Sequence, residues 1–307
     1  MKTFACSLLF VALALPLHAQ TIDDGIMMTA HSLQTGDVYT HEWWDRYWEG
    51  TLERVNGNIG TVTTRTNIWT AAFGVTNRMS VFASVPYVWT HPSQGVLQGQ
   101  RGFQDMTIGG KYSVFERSPA GHGLIRTIVA MSGAFPLTDY TPDFAPMSIG
   151  THSRRISGRL TLNYQTAQGP YLNGSTAYTR RHDVTLDRPY YYTDGQLFLT
   201  DRVDMPAVVD YSISVGYLKH DLNTAVSFAR QITQGGGDIR RQDAPFVSNR
   251  VTFSKVGAMA MYPVPRLRTL SAYASVARTI DGRNVGKATT IAAGLLYSHA
   301  SHGSLIR

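Results

Sequence analysis

A repeating two-residue period limits the fold of this chain more than any other feature. After residue 20, stretches of roughly 9 to 14 residues alternate apolar with polar or small side chains, and helical spacing is nearly absent. In one stretch Ile156, Gly158, Leu160, Leu162 and Tyr164 share a face, and Ser157, Arg159, Thr161 and Asn163 take the other. In a second, Val209, Tyr211, Ile213, Val215 and Tyr217 oppose Asp210, Ser212, Ser214 and Gly216. Successive side chains of a strand point to opposite faces of its sheet, so each stretch reads as a strand with one oily and one polar side. About twelve strands are expected, near 37–48, 60–73, 79–90, 103–116, 124–137, 154–166, 170–182, 205–218, 221–233, 248–262, 267–279 and 287–298.

The connections carry the topology. Those after even-numbered strands are short, and those after odd-numbered strands are mostly long and polar, as in 49–59, 91–102, 138–153, 183–204 and 234–247. Short turns at one end, long loops at the other and an even strand count describe a closed antiparallel transmembrane β-barrel of the outer-membrane type. Lipid cannot satisfy an open sheet edge, so a spanning sheet must close on itself. A secreted sandwich is the rival, but its outer face would be charged. Here the polar faces are rich in Ser, Thr and Gly, and only 16% of residues are charged. Past the N-terminus no apolar run approaches the roughly 18 residues of a spanning helix.

Met1-Lys2, an apolar run to Leu15 and Leu17-His18-Ala19 before Gln20 form a cleavable signal peptide over 1–19. The only cysteine, Cys6, falls inside it, so the exported chain has neither disulfides nor thiolate ligands. The expected organisation is a periplasmic segment over 20–36, the barrel over 37–298 and a tail over 299–307. Barrels of this type usually end on an aromatic residue, whereas this chain ends Ser304-Leu305-Ile306-Arg307.

Three stretches resemble a known family, the outer-membrane barrels of the meta-pathway of phenol degradation. They are Phe73 to Met79 running into Ser84-Val85-Pro86-Tyr87, then Gly102-Phe103-Gln104-Asp105-Met106-Thr107-Ile108-Gly109-Gly110-Lys111-Tyr112, then Ser132-Gly133-Ala134-Phe135-Pro136-Leu137-Thr138. The resemblance implies a barrel that passes small, often aromatic or hydrophobic, molecules across the outer membrane.

Arg65, Lys111, Arg126, Arg159 and Arg181 fall on faces assigned to the lumen, opposed by Asp105 at a strand mouth and by Asp210. Such a ladder either attracts anionic solutes or pairs across the lumen as a brace. Arg126 and Arg159 sit in the clearest alternation. Trp43, Trp44, Tyr47 and Trp48 read as an interfacial girdle, and Tyr190, Tyr191 and Tyr192 as a lid or capture group in a long loop. His152-Ser153 and His299-Ala300-Ser301 are the residues a lipid hydrolase would need. Neighbours in a strand point apart, however, and the second pair sits at the far strand end. No catalytic site, metal site or cofactor is expected. The expected partners are outer-membrane lipid or lipopolysaccharide and a small-molecule solute. The net charge of +7 is scattered rather than striped, which argues against nucleic acid. A non-conducting barrel acting through its loops is the alternative to a channel, and no pattern specifies an oligomeric state.

Overall fold

The computed structural model describes residues 22–119, 123–219, 222–240 and 245–300. The expected leader and residues 301–307 of the expected tail lie outside the described residues. Twelve long strands build the molecule: β1 (Ser32–Trp44), β2 (Val62–Thr76), β3 (Met79–Pro92), β4 (Asp105–Arg117), β5 (Leu124–Pro136), β6 (Arg155–Gln165), β7 (Pro170–Arg181), β8 (Val208–Lys219), β9 (Leu222–Thr233), β10 (Thr252–Val264), β11 (Leu267–Arg283) and β12 (Thr289–Ala300). Each pairs antiparallel with its neighbours in the chain. The ring closes where β1 meets β12, from Ser32↔Ala300 to Trp43↔Thr289. Closure removes the two edges at which backbone N–H and C=O groups would otherwise face lipid. Among the described residues no helix is long and apolar enough to cross a membrane.

Burial runs opposite to that of a soluble domain. On β6, Leu162 is 57% exposed while its neighbours Thr161 and Asn163 are 1% and 4% exposed. The apolar face is therefore the outer wall and the polar face lines the lumen, as period-two alternation requires. Where β4 bulges between Ser113 and Phe115, the register shifts. Two same-face residues, Ser113 and Glu116, thus stand an odd number of positions apart, and the carboxylate of Glu116 faces Arg126.

Loops crowd one end. Residues 137–154 fold back over the lumen, where the hydroxyl of Thr90 donates to the carbonyl of Met147 at 2.7 Å and Val88, Tyr140 and Ile149 pack together. Met147 also packs with Ile59 and Val62. A separate apolar cluster of Val184, Leu186, Tyr191, Val203, Met205, Phe246 and Val247 ties loop 182–207 to loop 234–251.

The expected boundary of a periplasmic segment over 20–36 is corrected. β1 begins at Ser32, and residues 22–31 run inside the barrel. Thr35 and Asp37 on the outer face of β1 break the apolar alternation, which hid the start of this strand. At the other end, His299 belongs to the closing strand rather than to a tail.

Candidate functional site

The lumen is two-sided. Across β4 to β8 it is charged: Lys111, Arg126, Arg159, Arg181 and Asp210 all sit on inward-facing positions, and Lys111, Ala130, Arg159, Ala177 and Asp210 follow one another in register around the wall. Across β9 to β12 and β1 to β3 most inward groups are small, apolar or neutral polar, and the inward Lys255 and Glu42 pair with each other at 3.3 Å. Val38, Ile68, Ala72, Phe82, Ala225 and Met259 are among those that border a cavity of about 610 Å³.

The segment 22–31 enters from the short-turn end and lies against the charged side. Asp24 pairs with the Lys111 ammonium at 2.7 Å, and Asp23 pairs with Arg159 at 2.9 Å. The amide of Asn173 donates to the Asp23 carbonyl at 3.1 Å, and the backbone N–H of Ala30 donates to Asn77 Oδ1 at 3.0 Å. The His31 N–H donates to the Gly74 carbonyl at 2.7 Å. Ile26, Met27 and Met28 are buried. The Lys111 side chain is only 2% exposed. Breaking one partner of a pair so deeply buried costs roughly 3–5 kcal/mol, because a charge is left without compensation.

The residues that carry the family resemblance hold this arrangement in place. A Cβ on Gly74 would stand 2.0 Å from the carbonyl oxygen of Thr29, so only glycine lets the segment pass. Lys111 anchors Asp24. Asp105 accepts from the Tyr140 hydroxyl at 2.5 Å and from Arg155 at 2.9 Å, fixing the long loop over the opposite mouth. Burial, with Asp105 adding to it, raises the Tyr140 hydroxyl well above the usual phenol range, so it stays a neutral donor. Thr138 Oγ1 donates to the carbonyl of Phe103 at 2.5 Å.

The other candidate residues scatter. Arg65 is corrected: it pairs in register with His41 and Trp89 and points outward. β2 carries Thr and Asn on both faces, so its sequence could not fix the parity. Arg126 meets Glu116 at 3.7 Å at the short-turn end. Arg181 donates from Nε to the Pro206 carbonyl at 2.6 Å, while its buried Nη2 has no hydrogen-bond partner. Asp210 feels both Arg159 and Asp23. The tyrosine triplet divides. Tyr191 is buried between Phe198 and Phe246, with ring centroids at 5.0 Å from each, whereas Tyr190 and Tyr192 are exposed. The aromatic cluster of loop 1 is likewise not one girdle, because Trp48 is buried under Lys287 and Trp44 packs against the loop core. The outer aromatics that do group are Trp69, Tyr87, Trp89 and Phe103. They come together only because β2, β3 and the short stretch Arg101–Phe103 pair side by side, which no single stretch of sequence shows.

Ser153 Oγ donates to the His182 carbonyl at 2.5 Å, and His152 Nε2 faces Asp139 at 3.5 Å, so the two side chains point to different partners. Ser301 lies outside the described residues. Among the described residues no group of three or more His, Cys, Asp or Glu side chains could hold a metal ion.

A family model described as the MetA-pathway of phenol degradation matches residues 55–294. No curated protein matches the chain. Among solved structures, the COG4313 outer membrane channel from Pseudomonas putida F1 is similar, with a TM-score of 0.70 at 11% identity, covering 91% of this chain and 100% of that one. The NanC porin gives a TM-score of 0.47 at 10% identity over 85% of this chain and 98% of its own. The TodX deltaS2S3 mutant monoaromatic hydrocarbon channel gives 0.41 at 10% identity over 88% of this chain and 90% of its own.

Proposed function

The chain belongs to the family of the MetA pathway of phenol degradation, and on that premise we propose that it is a bacterial outer-membrane channel for passive passage of small, weakly polar or aromatic molecules. One observation carries this reading. Beside a wall where Lys111 and Arg159 are paired runs a cavity of about 610 Å³, bordered by Asp23 and Asp24 of the N-terminal segment on one side and by Val38, Ile68, Ala72, Phe82, Ala225 and Met259 on the other. A cavity of roughly 150 Å³ accommodates benzene, so this one has room for a solute of one or two rings. With the signal peptide removed, the short turns face the periplasm and the long loops the exterior. The outer wall is solvated by outer-membrane lipid. The cationic ladder acts mainly as a dock for the N-terminal segment, because Lys111 and Arg159 are already answered by Asp24 and Asp23. Passage then requires the segment and the folded-in loop 137–154 to give way, and no energy coupling or cofactor enters.

The closure at both mouths also favours a second reading, a barrel that stays shut and acts through its loops. Conductance and liposome flux of the refolded chain from Gln20 onward separate the two. Discrete openings, with benzoate or phenol entering faster than sugars of equal mass, support the channel. A folded, heat-modifiable barrel that passes none of these solutes, even after removal of residues 22–28, sinks it.

A further inference from the structure

Outside the lumen, the long-loop ends of β5, β6 and β7 border a cleft of about 910 Å³ on the outer wall, running from Phe135 and Leu137 across Arg154 and His182 to Val184. The register fixes which side chains face it. Arg155 turns inward to Asp105 and Arg181 inward to Pro206. Alternation therefore turns Arg154 and His182 outward, as it does Ile156 and Arg180, which pair directly with each other one step lower. Lower still on the same face of β7 stands Tyr178, 56% exposed.

Read along the outside of β7, the order is Leu172, Gly174, Thr176, Tyr178, Arg180, His182, ending in an aromatic and then two basic groups. Aromatic side chains on a barrel mark the boundary between hydrocarbon and head groups, so the cations stand at head-group depth. Two carboxylates border the same cleft, and each already has a basic neighbour, Asp139 beside His152 at 3.5 Å and Asp183 beside Arg202 at 2.6 Å. On β9, by contrast, the outward Arg230 is answered on the protein itself by Asp281 at 3.7 Å.

We propose that this cleft, together with the outward face of β6 and β7 beside it, binds a phosphorylated glycolipid of the outer leaflet, its phosphate held between Arg154 and Arg180 and an acyl chain laid along Phe135 and Ile156. The planar guanidinium fork matches phosphate oxygens in pairs, and Arg154, opposite His182, stands one outward step above the Ile156–Arg180 pair. The exposed Ile156, 67% accessible, and Phe135 supply the oily floor beneath. This inference rests on the outer-membrane reading above but not on conduction.

The test is a native mass-spectrometric titration of the full folded chain in detergent with diphosphoryl lipid A, with its dephosphorylated form, and with inorganic phosphate as competitor. Diphosphoryl lipid A is expected to bind at least tenfold more tightly than the dephosphorylated form. The double variant Arg154→Ala/Arg180→Ala should lower that binding at least tenfold, and Arg154→Lys/Arg180→Lys, which keeps charge but loses the fork, should lower it less. Equal binding of the two lipids, binding unchanged in the alanine variant, or complete displacement by millimolar phosphate would each overturn the proposal. The third outcome would reassign the cleft to small anions. Both arginines lie outside the lumen, so conductance of these variants should match that of the parent protein. A silent parent protein would overturn the channel reading and leave the lipid result standing.

Discussion

The two halves of the lumen do opposite work with the same alternation. From β4 to β8 the inward positions hold long cationic side chains, and the barrel fills that half with its own N-terminal segment. From β9 around to β3 the inward positions hold mostly Ala, Ser, Val, Phe and Met, the ion pair of Lys255 with Glu42 is satisfied within the wall, and the cavity lies between this half and the N-terminal segment. The difference teaches that charge in a lumen is not by itself a filter. A buried cation needs a partner, and here the chain supplies it from residues 23 and 24 rather than leaving it to a passing solute.

That contrast can be broken outright by removing residues 22–28. Lys111 and Arg159 then face an open pore, and single-channel conductance is expected to rise at least tenfold with a new preference for anions. An unchanged conductance would mean that the loops alone close the barrel. A single substitution should act almost as strongly. Gly74→Ala places a methyl against the Thr29 carbonyl, so the segment must leave its groove, and the open fraction in bilayer recordings should approach that of the deletion.

The two acidic residues sharpen the comparison by their unequal burial. Asp24→Asn strands the buried Lys111 and should shift the closed state by about 3 kcal/mol, a hundredfold or so in open probability. Asp23→Asn, whose side chain is 56% exposed beside Arg159, should shift it by no more than about 1 kcal/mol. Equal effects from the two would remove burial as the deciding factor. On the cavity side, Ala225→Trp should slow flux of aromatic solutes severalfold while leaving ion selectivity unchanged, as read by liposome uptake and reversal potential.

The smallest effect is expected far from either wall. The Arg283 guanidinium, hydrogen-bonded to Asp238, holds that carboxyl below the usual carboxylate value of 3.8, with Asn284 adding to it. A depressed acid contributes stability above its unfolded value and loses it as pH falls through the folded one. Limited proteolysis of loop 234–251 should thus quicken at pH 3 relative to pH 6, whereas barrel strands stay protected. The same cleavage rate at both values would detach the loop from this ion pair.

How much of this was legible beforehand depends on whether the signal is local. The twelve strands, the loop asymmetry and the exposed faces of β6 and β8 follow from a period of two that any ten residues display. Arg159 and Asp210 could be assigned to the lumen for the same reason. Arg65 could not, because Thr64, Thr66 and Asn67 leave both faces of β2 alike. Tyr191 and Trp48 were misread as surface aromatics because what buries them, Phe246 in one case and Lys287 in the other, comes from loops far along the chain.

The sequence by itself determined the barrel, since alternation and loop length are properties of consecutive residues and closure follows from the chemistry of an unpaired edge. Only the tertiary structure decided what the lumen contains. Residues 22–31 have no period, and their Asp24-Gly25 pair marks a turn without saying where it docks. Their place is set by a lysine 87 positions away and by a glycine whose missing side chain leaves room for them. Such long-range pairing of charge and space arises only when the strands are brought together.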